Sequence, residues 1–74
     1  MTPAQSRAAR GLLSITQTEL ANLADLGQST VIDFERERRV VSESAISAIR
    51  AALEGAGVEF IEPNGGGAGV RLRK

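Results

Sequence analysis

Gln28, Ser29, Ile32 and Asp33, followed closely by Arg36, Arg38 and Arg39, are the side chains with the most specific chemistry in the chain. On a helix that starts at Gln28, positions 28, 29, 32 and 33 share one face. A glutamine amide both donates and accepts, which suits the edge of adenine. A serine hydroxyl bonds to most bases, an isoleucine meets the thymine methyl, and an aspartate accepts from cytosine N4. These four residues are the candidate readers of base edges. Arg36, Arg38 and Arg39 are candidates for the phosphates of the DNA backbone, with Asp33, Glu35 and Glu37 offsetting them locally. The start of the preceding helix, at Thr16 and Gln17, offers backbone N–H groups to a further phosphate.

Other chemistry is scarce. There is no cysteine and no histidine, which removes a disulfide framework, the usual zinc ligand sets and the commonest general base at neutral pH. No catalytic triad or Cys-His pair is possible, so the chain is not expected to be an enzyme, and no metal or cofactor is expected. The run "NGGGAG" lacks the Gly-Lys-Ser/Thr and following helix of a phosphate-binding loop and reads as a turn. No apolar run approaches a membrane span. "MTPAQSRAARGLLSI" is too short and too polar for a signal peptide, and a cytoplasmic setting is expected. The nine basic and nine acidic residues cancel. DNA-binding domains are commonly basic, but a duplex feels the charge on one face rather than the sum.

The elements that must position these groups follow from caps and periodicity. Thr2 and Gln5 form a capping box around Pro3, opening a first helix at about 3–13. Its apolar positions are Ala4, Ala8 and Leu12, with Ala9 and Leu13, and Arg7 and Arg10 fall away from the leucines. Thr16 and Glu19 form a second box, with Ile15 as a staple, and open a helix at about 17–24 whose inward face is Leu20, Ala21, Leu23 and Ala24. Asp25, Leu26 and Gly27 interrupt it, Leu26 as a buried plug and Gly27 as the residue free to open the backbone. A third helix spans about 28–37, with Val31, Phe34 and Glu35 inward. Glu35 reads as structural, pairing with an arginine of the first helix such as Arg10. Val40 or Val41 tucks back onto the core. Ser42 caps a fourth helix, about 43–55, with a stripe of Ala45, Ile46, Ile49, Ala52, Leu53 and Ala56.

From Val58 the period changes to two. "VEFI" and "VRLR" read as a β-hairpin with Val58, Phe60, Val70 and Leu72 on its apolar face, adding to the core. Residues 1–57 thus form a helical domain, and 58–74 a hairpin tail packed on it or at a dimer interface. Arg71, Arg73 and Lys74 add non-specific attraction to DNA or keep a strand edge soluble. Two short helices joined by a short turn, with a small residue, Ala21, at their crossing, make a helix-turn-helix unit.

The stretch "QTELANLADLGQSTVIDFERERR" resembles the motif of the phage-repressor/Cro-like, or xenobiotic-response-element, helix-turn-helix family. That motif reads Gln, two residues, Leu-Ala, two residues, Ala-Gly-Val-Ser, three residues, Ile, three residues, Glu and a basic loop. This chain matches at Gln17, Leu20, Ala21, Ala24, Val31 and Glu35, and conservatively at Leu26. It departs at Asp25, where the family has glycine, and at Gly27, where it has serine.

The resemblance implies a mainly α fold, a four-helix Cro/C1-repressor-like domain followed by a C-terminal hairpin. It implies that Gln17 reaches the DNA backbone and that Gln28, Ser29 and Asp33 meet bases. The expected function is a sequence-specific transcriptional regulator, expected to be a repressor, acting as a homodimer on a pseudo-palindromic double-stranded operator. The alternative is a protein-binding module of the same fold, an antiactivator or antitoxin, which would have a regulatory protein as its partner. No membrane partner is expected.

Overall fold

Hydroxyl residues open three of the helices. In the computed structural model, which describes residues 1–63 and 65–73, α1 runs Pro3–Leu13, α2 Gln17–Ala24, α3 Gln28–Glu35 and α4 Glu43–Gly55. Thr2 and Thr16 each form a complete capping box, with Gln5 and Glu19 returning the hydrogen bond, and Ser42 accepts the N–H of Ala45. Asn64 in the glycine-rich turn and Lys74 at the end of the chain lie outside the described residues.

The first three helices all stop in the same way. Ser14, Asp25 and Glu37 take left-handed backbone, with φ of 58°, 57° and 56°. In each case the next N–H reaches back five residues: Ile15 to the carbonyl of Arg10, Leu26 to that of Ala21, Arg38 to that of Asp33. This is the Schellman closure, in which glycine is the usual left-handed residue. None of the three is glycine, so each carries a backbone cost that packing must offset. The device ends α3 at Glu35, two residues short of the expected 37. It also corrects the turn: Asp25 takes the left-handed position, while Gly27 is extended, with φ −69° and ψ 148°, and stands as the N-cap of α3.

Ala9, Leu20, Ala21, Val31, Phe34, Val41, Ala45, Ile49, Leu53 and Val58 form the buried core. Ala24, Leu26 and Ile15 pack against its edge. Val41, not Val40, is the residue that tucks back; Val40 is 95% exposed. Leu23 and Leu12 stand outward too. They lie on the side of α2 and α1 away from the crossing, so their helical spacing alone misassigned them. Ala4, Ala8 and Ala56 are likewise exposed. In α1 the buried face is instead Gln5, Ser6 and Ala9, a polar face with a polar partner described below.

β1 (Val58–Ile61) and β2 (Gly69–Leu72) pair antiparallel, with Val58 opposite Leu72 and Phe60 opposite Val70. Val58 is fully buried, and Phe60 and Val70 pack against the core; Leu72, at the free end, stays largely exposed and does not extend it. Two strands alone are marginal in water. Here α1 fastens them, because the Gln5 amide donates to the Gly69 carbonyl at 3.0 Å. On the other side the Arg50 guanidinium lies 5.1 Å over the Phe60 ring, a cation–π contact from α4.

Candidate nucleic-acid interface

The placement of α3 begins with a carboxylate that has left water completely. Glu35, the last residue of α3, has no exposed surface. Its Oε1 accepts from Arg10 Nη2 at 2.7 Å, from Arg10 Nε at 3.0 Å and from Gln17 at 3.1 Å. Its Oε2 accepts from the Ser6 hydroxyl at 2.6 Å and from Arg10 Nε at 3.0 Å. Arg7 donates to its backbone carbonyl. A charge taken out of water is tolerated when its acceptor sites are filled in this way. Burial pushes the Glu35 carboxyl up, but the hydrogen bonds from Arg10, Ser6 and Gln17, with the Arg10 charge, outweigh it and hold the group below its ordinary value. One side chain thereby ties α1, the start of α2 and the end of α3 together. No buried side-chain nitrogen or oxygen among the described residues lacks a partner.

The expected pairing of Glu35 with Arg10 is present. Ser6 and Arg7 escaped sequence reasoning. The available signal was spacing: Ser6 and Arg10 are four apart on one helical face and so address one partner.

At its first turn and along its outer side, α3 presents Gln28 and Ser29 exposed and Ile32 and Asp33 half-buried. Gln28 and Ser29 make no side-chain hydrogen bond among the described residues, so their donors and acceptors stay available. Asp33 is engaged, its Oδ2 accepting from Arg39 Nε at 2.7 Å. Of the three loop arginines, Arg39 is therefore paired, while Arg36 and Arg38 are exposed and have no ion-pair partner among the described residues. Glu37 lines a groove with Pro3, Phe34, Arg39, Val40 and Ile46. Gly27 provides no side-chain cap, which leaves the first N–H groups of α3 without one.

The two residues at the start of α2 divide. The Thr16 hydroxyl accepts the Glu19 N–H at 3.0 Å and keeps its own proton to donate. Gln17 points one N–H inward to Glu35. The structure thus brings Gln28, Ser29, Ile32 and Asp33 onto one face with Arg36, Arg38 and Arg39 beyond it, and commits part of Gln17 to the frame.

At the hairpin, Arg71 pairs with Glu59 at 2.8 Å and Arg73 donates to the Glu54 carbonyl. The Glu59 carboxyl is lowered and the Arg71 guanidinium raised, each mainly by their shared hydrogen bond.

Residues 7–60 match the family model described as helix-turn-helix, a span that runs from Arg7 through Phe60 and takes in every helix-turn-helix element above. The chain belongs to the helix-turn-helix family. No curated protein matches it. Helix-turn-helix domains bind DNA in general and are not catalytic. In this helix-turn-helix chain no group of three or more His, Cys, Asp or Glu among the described residues is placed to hold a metal ion. No described helix is long and apolar enough to cross a membrane.

Proposed function

We propose that this helix-turn-helix protein is a sequence-specific double-stranded DNA-binding transcriptional regulator acting as a repressor. α3 enters the major groove, α2 crosses the backbone, and a homodimer presents two α3 helices to a pseudo-palindromic operator. Gln28, Ser29, Ile32 and Asp33 read bases. Thr16, Gln17, Arg36, Arg38 and Arg39 hold phosphates. Repression follows from occupying a promoter and requires no cofactor.

The observation that carries this reading is the contrast in charge pairing. Arg10, Arg39, Arg50 and Arg71 are paired with carboxylates and Arg7 and Arg73 are tied to backbone carbonyls, whereas Arg36 and Arg38, just past the end of α3, have no such partner among the described residues. A net charge of zero is thereby compatible with a locally positive edge on the reading helix. A single small module collects few base contacts, which is the physical case for a dimer.

A second reading, a protein-binding module, is favoured by the exposed Val40 and Leu23. Salt separates the two, since phosphate contacts release counterions and weaken steeply as salt rises, while an apolar protein contact does not.

The test is a gel shift on fragments of the gene's own upstream region at two salt concentrations with random competitor. A discrete, competitor-resistant, salt-sensitive complex is expected. If neither these fragments nor a genome-wide selection yields such a complex, the protein-binding reading takes its place.

A further inference from the structure

The Asp33–Arg39 pair is half-made in a way that the Glu35 cluster is not. Arg39 touches Asp33 through Nε alone, at 2.7 Å. Among the described residues, Asp33 Oδ1 and the two terminal nitrogens of Arg39 have no hydrogen-bond partner. A guanidinium held by Nε keeps its terminal N–H groups for a second acceptor. The end of α3 enforces this meeting, because the Arg38 N–H closes onto the Asp33 carbonyl at 2.9 Å and turns the chain back beside it. Arg39 also lines an open cleft of about 310 Å³ with Thr30, Ser42 and Ser44; the two serine hydroxyls bond each other at 3.3 Å, which leaves one serine proton and the Thr30 hydroxyl to meet a phosphate oxygen. A bare carboxylate on this face would be repelled by phosphates; beside Arg39 it is neutralised and still has one oxygen to offer.

We propose that Asp33 and Arg39 form one specificity unit: Arg39 bridges Asp33 to a backbone phosphate, and the free oxygen of Asp33 accepts a hydrogen bond from the N4 amino group of a cytosine. The inference rests on the DNA-binding reading above. Arg39 is in this role a positioning residue for base reading as well as a phosphate contact.

The test selects duplexes from a randomised pool with the full chain. It then measures affinity for all four base pairs at each selected position, for the unaltered protein, Asp33→Asn, Arg39→Ala and the double variant, each first shown to be folded by thermal melting. The expected result is one position where cytosine is preferred by about tenfold. Asp33→Asn loses that preference or moves it towards adenine, which asparagine pairs well. Arg39→Ala also loses it, and weakens binding more in the unaltered background than beside Asp33→Asn, where no carboxylate is left exposed. The proposal is overturned if Arg39→Ala weakens every duplex equally and keeps the cytosine preference, or if the two substitutions act independently. A protein that selects a sequence but shows no cytosine preference tied to Asp33 overturns this inference alone; one that selects no sequence overturns the DNA reading with it.

Discussion

Two carboxylates two residues apart on α3 both meet an arginine, and they do opposite things. Glu35 is sealed from water, holds Arg10 through both oxygens and accepts from Ser6 and Gln17 as well. Asp33 meets Arg39 through a single contact, with their side chains 19% and 53% exposed. The first pair is saturated and serves as a frame. The second is unsaturated and faces outward, with capacity left for a ligand. A helix that must be held rigidly and also read something needs both kinds of pair at different angles around its axis.

The sharpest way to break this comparison is to remove each carboxylate in turn. Glu35→Ala leaves Arg10 without its buried partner and should cost about 3–5 kcal/mol, a drop in melting temperature of more than about 10 °C for a domain this small. Asp33→Ala, at an exposed pair, should cost at most about 1 kcal/mol. Thermal unfolding of both variants measures the gap, and equal losses would erase the distinction between frame and reader.

Acid sharpens the same contrast. The Glu35 carboxyl is held below its ordinary value in the folded chain, so the unfolded state takes up the proton more readily. Its stabilisation is therefore fully present above the ordinary carboxylate range and is lost as pH falls through the depressed folded value. Urea unfolding between neutral pH and pH 3 should show stability falling on the acid side. The slope should be shallower in Glu35→Gln, which also starts from a lower plateau.

A smaller effect is expected at the free loop arginines. Arg38→Ala should weaken binding to specific and random duplexes by the same factor and reduce the salt slope by about 1, as read from affinity titrations over a salt series. A loss confined to one sequence would make Arg38 a base reader instead.

The smallest effects concern the turn that leads into α3. Asp25 sits at φ 57°, where glycine is free of the side-chain clash, so Asp25→Gly should stabilise the fold by up to about 1 kcal/mol. A Cβ at Gly27 meets no atom within 4 Å, and Gly27→Ser supplies the missing cap hydroxyl, for a gain of a few tenths of a kcal/mol. Denaturant midpoints resolve both.

Much of the frame was legible in the sequence because it rests on local signals. The boxes at Thr2 and Thr16 and the serine cap at Ser42 marked three helix starts, and alternation marked the hairpin. The pairing of Glu35 with Arg10 was legible from one inward charge that needed a partner. The end of α3 was not, since a left-handed Glu37 carries no sequence mark of the kind that a glycine gives. Leu12 and Leu23 misled for another reason: helical spacing says which residues share a face, and tertiary contact decides which face is covered. At the candidate site, exposure of Ser29 followed from its position opposite Val31 and Phe34, whereas Gln28 shares a stripe with Glu35 and is exposed because it opens the helix. The Asp33–Arg39 contact did not, because it depends on how the loop after α3 folds back.

The most direct test of the account is the ratio of specific to random DNA affinity for Gln28→Ala beside the unaltered protein, with melting temperatures taken on the same samples. Gln28 is exposed on α3 and makes no side-chain hydrogen bond among the described residues, so the melting temperature should not move. The ratio should fall by about tenfold or more. An unchanged ratio, or equal loss on both duplexes, would contradict the claim that the outer face of α3 reads sequence.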